Sequence, residues 1–259
     1  HALKLTYGIE NEAMIRGRAL AINCAGLKFD VSTPKGADRI SMPLFGRYNV
    51  SNALAAIGAC FTLGVRLPVM ARALKDLPQV PGRLEQVDCG QGFKVFVDYA
   101  HTDDALKNVL TTLRESTQGR LLLCFGCGGN RDTRKRALMG RVASLLADHS
   151  VLTSDNPRKE DPRSIIAQIE EGFAQAAAES GQSAPAKYEV LVDRHQAIGR
   201  VLEMARPGDV VVIAGKGHET YQEFADTVIS FDDREVAREY LARWKNLASP
   251  SSPAPAAHH

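Results

Sequence analysis

Three short stretches carry most of the chemistry: "GCGGNRDTRKR" at 126–136, "DNPRKEDP" at 155–162 and "GKGHETYQ" at 215–222. Arg131 and Arg158 supply planar forks of donors that match carboxylate or phosphate oxygens two at a time. Asp155 and Glu219 can accept hydrogen bonds from an ammonium group, and Asn156 both donates and accepts. Glycines 126, 128 and 129 permit backbone conformations closed to other residues and let main-chain N–H groups approach a ligand. Two guanidinium groups and two carboxylates at one rim suit a zwitterion, and contacts of both signs at a distance suggest an amino acid with more than one charged end. The alternative is that these charges pair with one another across the loops.

Each stretch follows a short, almost wholly apolar run, "RLLLCF", "HSVLTS" or "DVVVIA". Such strands are buried on both faces, which predicts a parallel sheet covered by helices. In such sheets the ligand lies outside the carboxyl ends of the strands, so the three loops should share one edge. The intervening pattern predicts strands over Leu84–Cys89 and Phe93–Asp98, a strand at "KYEVL", and helices over about 102–115, 134–147 and 194–205. A helix from Pro162 places Ile165, Ile166, Ile169, Phe173 and Ala177 on one face, and "DDREVAREYLARW" predicts a last helix. This C-terminal part is expected to be a Rossmann-like, doubly wound α/β domain.

Upstream, "RGRALAIN", "LKFDVST" and "RISMPL" alternate like strands and are broken by Gly26 and "PKGAD". "NVSNALAAIGACFTLG" reads as a helix opening at capping-type Asn49 and closing at Gly64, followed by a short helix from Pro68 to Leu77. "PQVPGR" marks a boundary, giving 1–83 and 84–247 as two domains and 248–259 as a disordered tail.

Composition narrows the classes. The chain has 259 residues, 44% of them apolar, and 32 basic against 30 acidic residues, a net charge of +2. That balance gives no reason to expect nucleic acid, so any anion binding is local. No run approaches the roughly 20 apolar residues of a membrane span, and the start lacks the long uncharged core of a signal peptide. Five scattered cysteines form no disulfide framework. A soluble, cytoplasmic protein is expected. Cys124 and Cys127 lack a second pair for zinc and read as apolar packing, and no metal-ligating set is assigned. "GKGHE" is not a Walker loop, "HETYQ" lacks the second histidine of a zinc protease, and no G-x-G-x-x-G marks a dinucleotide site.

In order and spacing, "FGCGGNRDTRKR", "DNPRKEDP" and "GKGHETYQ" resemble the C-terminal domain of the MurE-type Mur ligases, which extend UDP-N-acetylmuramoyl-L-alanyl-D-glutamate in peptidoglycan synthesis. "GRYNVSNALAAIG" and "VPGRLE…VDYAHTDDAL" are similar to the later part of the family's central, ATP-binding domain and its junction with the last domain; the likeness runs from Tyr7 to Trp244. "DNPR" is similar to the form in ligases that select meso-diaminopimelate, which carries two ammonium and two carboxylate groups. The resemblance implies that Arg131 and Arg158 clamp the distal carboxylate beside Asn156, while Asp155, Glu219 and the backbone at Gly215 complete that amino-acid end. It further implies ATP on Asn49 and Arg83, with Asp98 and His101 as catalytic residues at the interdomain junction, and magnesium as the metal cofactor. Asn49 is equally readable as an ordinary helix cap.

The reaction so implied is phosphorylation of the D-glutamate side-chain carboxylate by ATP, then attack of the diaminopimelate amine. Relative to the family pattern, the UDP-binding domain, the phosphate loop and the magnesium-holding lysine are missing, so the chain reads as a fragment expected not to run the ligation alone. Asn130 stands where relatives commonly have aspartate, and Asp103 where they have proline. The expected partners are UDP-MurNAc-dipeptide and meso-diaminopimelate, with no nucleic acid, no membrane insertion and a monomeric state. Two alternatives stay open: a lysine-adding relative, and a non-catalytic module that binds a dibasic amino acid.

Overall fold

Two main sheets, built from successive parts of the chain, organise the structure. The computed structural model describes residues 4–23, 26–180 and 188–248. β1 (Tyr7–Ile9), β2 (Ile15–Asn23), β3 (Gly26–Thr33) and β4 (Gly36–Met42) form the first sheet, in that order. β2, β3 and β4 run antiparallel, as their alternation implies, while β1 joins β2 in parallel. α1 (Arg47–Thr62) and α2 (Leu67–Lys75) cover this sheet, with Leu54, Ile57 and Met70 packing among Phe29, Ile40 and Met42.

α1 opens earlier than its sequence suggests. Gly46, at φ 89, is the N-cap, and Asn49 sits inside the first turn. The Asn49 amide donates to Phe45 O at 2.7 Å, so it caps by no main-chain acceptance and the expected capping role is not its own.

The second sheet takes β5 (Glu85–Gln86) and β6 (Lys94–Asp98), then α3 (Asp103–Arg114), β7 (Leu121–Phe125), α4 (Arg134–Leu146), β8 (His149–Leu152), α5 (Pro162–Ser180), β9 (Tyr188–Val190), α6 (Arg194–Glu203) and β10 (Val210–Ala214). Its order is β5-β6-β10-β7-β8-β9. All pairs are parallel except β5 with β6. Phe96, Leu121, Leu123 and Phe125 face α3, α4 and α5, and Val95, Leu122, Cys124 and Ile213 face α6 and the last helix. Alternate residues thus enter two separate cores, which is why the strand sequences are continuously apolar. Each such side chain stabilises the fold by roughly 1.5–3 kcal/mol.

The first expected strand of this domain shrinks to Glu85–Gln86, because side chains take neighbouring amides out of the ladder: Asp98 Oδ2 accepts from Leu84 N and Gln91 Oε1 from Cys89 N. After β10 the chain forms a hairpin, β11 (Tyr221–Phe224) with β12 (Thr227–Ser230), and then α7 (Asp233–Ala248). The tail expected to be disordered lies outside the described residues, except Ala248 at the end of α7.

Helix placement sets the loops. α3 is capped by Thr102, whose hydroxyl accepts from Ala105 N at 3.2 Å, and Asp103 and Asp104 complement its first turn. α4 and α5 approach at Gly140 and Gly172, where any Cβ would run into the Ile169 and Ala137 carbonyl oxygens respectively. Cys124 and Cys127 are buried, with burial pushing both thiols up to about 12, and Cys127 Sγ lies 3.6 Å from Met139 Sδ. They are packing residues, as their spacing without a second pair implies; Cys24 lies outside the described residues.

Candidate functional site

Parallel register aligns Asp98, Ala214, Phe125 and Leu152 across β6, β10, β7 and β8. The residues that follow leave the sheet along one edge, and the three polar loops meet there. They enclose a cleft of about 660 Å³ lined by Arg131, Asp155, Asn156, Arg158, Gly215 and Glu219, together with Tyr99, His101 and Tyr221. A second cleft, of about 950 Å³, lies between α1 and α3 and is lined by Asn49, Arg83 and Asp98, with Arg47, Tyr48 and Thr111 among others. Asp98 and His101, both expected as catalytic residues at the interdomain junction, line different clefts.

The loop glycines serve packing. Gly126, Gly128 and Gly129 do not use the positive φ that glycine permits; the left-handed positions are Asn130 (φ 52), Arg158 (φ 52), Gly215 (φ 115) and Gly217 (φ 56). A Cβ on Gly126 would strike Thr153 O and one on Gly129 would strike Pro157 O, so glycine lets the 155–162 loop lie directly on the 126–136 loop. Gly129 N donates to Asn156 O at 2.8 Å across that contact. Asn130 ties the same loops together: its N–H donates to Glu160 and its Oδ1 accepts from Lys159 N at 3.0 Å. Fully buried Arg136 closes the base by pairing with Glu160 at 2.8 Å.

Both arginines flank Gly128. A Cβ there would lie 3.1 Å from Arg158 Nη1 and 3.9 Å from Arg131 Cγ. Arg158 is held firmly, by Nη1 donating to Gly129 O at 2.8 Å and Nε paired with Glu223 Oε2 at 2.9 Å. Arg131 is exposed and forms no ion pair or hydrogen bond among the described residues.

A lysine that the sequence reading set aside organises the opposite wall. Lys216, with a fully buried side chain, donates to Asn156 Oδ1 at 3.0 Å and to Glu219 Oε2 at 3.3 Å, and lies 5.3 Å from the centre of the Tyr221 ring. Asn156 Oδ1 also accepts from Glu223 N at 3.0 Å, while its Nδ2 donates to Glu219 Oε2 at 2.9 Å. With its oxygen doubly occupied, Asn156 can offer a ligand only the second amide hydrogen. The available signal for Lys216 was its place between two glycines directly after an all-apolar strand, where its stem has to cross the sheet edge.

Asp155 lies over Gly215, where a Cβ would be 2.5 Å from Asp155 Oδ2. Burial pushes its carboxyl above the usual range, against the pull of Arg194 and Lys216. Among the described residues its side-chain oxygens accept no hydrogen bond, although its main-chain oxygen accepts from Gln222 Nε2. Gly215 N donates to Asp98 O at 3.1 Å, which leaves its carbonyl as the group a ligand can meet. The carboxylate of Asp98 is committed to Leu84 N and Ala100 N, at 2.7 and 2.8 Å, and burial raises its pKa. His101 Nδ1 is 2.8 Å from Tyr99 O, an acceptor only, so the neutral ring carries its proton there and keeps the Nε2 lone pair. Arg83 lies 5.2 Å from the Tyr99 ring centre, at the partition between the clefts. Among the described residues no three His, Cys, Asp or Glu side chains gather as a metal site.

The family model for the Mur ligase, glutamate ligase domain matches residues 82–217, and that for the Mur ligase middle domain matches residues 1–60. The chain belongs to the Mur ligase family. This Mur ligase chain is 43% identical over 240 residues to the UDP-N-acetylmuramoyl-L-alanyl-D-glutamate--2,6-diaminopimelate ligase of Clostridium botulinum (strain ATCC 19397 / Type A), across 92% of the chain and 48% of that protein. It is 47% identical over 238 residues to the ligase of the same name from Solibacter usitatus (strain Ellin6076), across 92% and 47%. A solved structure of a ligase of that name superposes with a TM-score of 0.69 at 37% identity, covering 93% of this chain and 48% of the other. The UDP-N-acetylmuramate-alanine ligase of Thermotoga maritima, at 20% identity and a TM-score of 0.64, shares the fold. The Mur ligase chain spans about half the length of the curated relatives it matches.

Proposed function

We propose that this chain supplies the amino-acid-binding part, and one wall of the nucleotide site, of an ATP-dependent ligase that joins meso-diaminopimelate to UDP-N-acetylmuramoyl-L-alanyl-D-glutamate. One observation carries this reading: five polar side chains and the Gly215 main chain, from three loops, line a single cleft that offers both donors and acceptors. Arg131, Arg158 and the free Asn156 N–H make a donor end suited to a carboxylate. Asp155, Glu219 Oε1 and the Gly215 carbonyl make an acceptor end suited to the ammonium on the same carbon. His101, with Nε2 unprotonated, is the group in this cleft able to take a proton from the attacking amine.

The second cleft fits a nucleotide by size and chemistry, since ligand pockets run to roughly 300–1,000 Å³ and Arg83 and Asn49 offer donors to phosphate and base. ATP would supply the phosphoryl group that activates the D-glutamate carboxylate. Asp98, tied to the junction backbone, holds Leu84 and Ala100 and so fixes where Arg83 and His101 stand. Magnesium, which binds through phosphate oxygens and water with few protein ligands, would enter with the nucleotide. Expected partners remain the UDP-MurNAc-dipeptide and meso-diaminopimelate. No helix among the described residues is long and apolar enough to cross a membrane.

Calorimetric titration of the chain with meso-diaminopimelate and with lysine tests the reading. A charge-assisted pair to the distal carboxylate contributes about 1.5–3 kcal/mol, so the parent chain should prefer meso-diaminopimelate at least about tenfold, and Arg158→Ala should erase that preference. Equal affinity of the parent for both amino acids overturns it.

A further inference from the structure

Glu223 lies outside the lining of the amino-acid cleft, yet all three of its polar groups engage the "DNPR" loop. Its N–H donates to Asn156 Oδ1 at 3.0 Å, its carbonyl accepts from Arg158 N at 3.0 Å, and its carboxylate meets Arg158 Nε at 2.9 Å. The two main-chain contacts splice β11 onto the loop as a bridge at Arg158 and Phe224. The side-chain contact does something different, because it touches the very group that would grip a ligand.

A guanidinium has five N–H donors along three edges. In Arg158, one Nη1 hydrogen goes to Gly129 O, while Glu223 Oε2 lies 2.9 Å from Nε as an ion pair without hydrogen-bond alignment. The Glu223 carboxylate thus places its charge on the Nε side of the guanidinium. Among the described residues Nη2 and the remaining Nη1 hydrogen stay unengaged, and a ligand carboxylate can reach them. The Arg158 side chain is only 20% exposed, so this pre-pairing also offsets the burial of its charge in the empty cleft.

Resting on the reading of this cleft as an amino-acid site, we infer that Glu223 is a positioning residue that determines specificity: its carboxylate, paired with Arg158 on the Nε side, holds the guanidinium so that its Nη groups are left for the ligand's distal carboxylate. It reads the ligand through Arg158 alone. Discrimination between an amino acid that has this carboxylate and one that lacks it therefore depends on Glu223.

The test compares the parent chain with Glu223→Ala and Glu223→Gln, titrating each with meso-diaminopimelate and with lysine and following thermal unfolding in parallel. Both variants keep the main-chain contacts to the loop, and Glu223, 37% exposed at its side chain, tolerates truncation. Loss of this partly exposed ion pair predicts that Glu223→Ala lowers the meso-diaminopimelate to lysine affinity ratio by about two- to fivefold. Glu223→Gln, which keeps the side chain's volume but removes its charge, should lower the ratio by a similar factor. An unchanged ratio in Glu223→Ala, a parallel loss for both ligands, or tighter meso-diaminopimelate binding each overturns the inference; the last would make Glu223 a competitor of the ligand. If the parent itself shows no preference, the amino-acid reading fails first and the inference with it, and that is visible before any substitution is made.

Discussion

Lys216→Met removes the cation on which one wall of the proposed amino-acid cleft is built. The lysine side chain is fully buried, 3.0 Å from Asn156 Oδ1 and 3.3 Å from Glu219 Oε2, while Glu219 is 20% exposed. Breaking a buried pair by deleting one partner costs about 3–5 kcal/mol, because the survivor keeps an uncompensated charge. Glu219 can regain some water and Asn156 Oδ1 keeps the Glu223 N–H, so the expected loss is about 2–4 kcal/mol. Methionine matches the stem in volume, so little of that loss comes from a cavity.

A double-mutant cycle with Glu219→Gln separates the ion pair from general damage. Glu219→Gln alone leaves the ammonium on two neutral oxygens and should cost about 1–2 kcal/mol. In the double variant no charge is stranded, and the combined loss should fall short of the sum by at least about 1 kcal/mol. Urea unfolding of the four proteins measures this, given a constant slope with denaturant. The reasoning is refuted if Lys216→Met costs less than about 1 kcal/mol or if the two losses simply add.

Gly172→Val should destabilise by at least about 3 kcal/mol, since its Cβ would run into the Ala137 carbonyl and force α4 and α5 apart; thermal unfolding reads this, and a change under about 1 kcal/mol would mean the helices slide freely. Acid should weaken amino-acid binding early, because burial raises the Asp155 pKa and its anion is the form that accepts an ammonium. The same shift acts on stability with the opposite sign. Between the unfolded value near about 3.9 and the raised folded value, the folded chain binds more protons, so Asp155 favours folding as pH falls through that window. Titrations of meso-diaminopimelate across mildly acidic pH should show affinity falling above the ordinary carboxylate range, and Asp155→Asn should bind weakly and flatten that dependence.

Order and type of most of the second sheet's elements were legible because β7 and β10 are unbroken apolar runs, β6 and β8 are largely so, and the helices repeat at their own period. The three polar stretches could be assigned to one edge because parallel strands end on the same side, and register places Asp98, Ala214, Phe125 and Leu152 level. What could not be read was local and depended on neighbours distant in sequence. Gly126 and Gly129 look like conformational hinges, yet the constraint on them is the Thr153 and Pro157 oxygens, 27 and 28 residues downstream. Asn49 has the composition of a cap, but the turn begins at Gly46 and its amide is drawn to Phe45 O. β11 and β12 carry weak alternation, and only their splice onto Arg158 shows that they belong to the site.

The two readings of the charged residues, that they pair with one another or that they bind a zwitterion, are compatible: the pairing is present, and the proposed zwitterion site would use what it leaves over. Arg158 with Glu223, and Lys216 with Glu219, are paired already, so the empty site does not carry several stranded charges in a low-dielectric wall. Among the six residues of the proposed site, the pairing leaves over the Arg131 guanidinium, Arg158 Nη2 and one Asn156 hydrogen as donors, and the Asp155 oxygens, Glu219 Oε1 and the Gly215 carbonyl as acceptors. A ligand with one charge satisfies half of this remainder and leaves the other half less solvated than it was in the open cleft. A ligand end bearing an ammonium and a carboxylate on one carbon satisfies both at once, so on the proposed reading the preference for such a distal end over lysine's lone distal ammonium follows from the valences that internal pairing leaves unfilled.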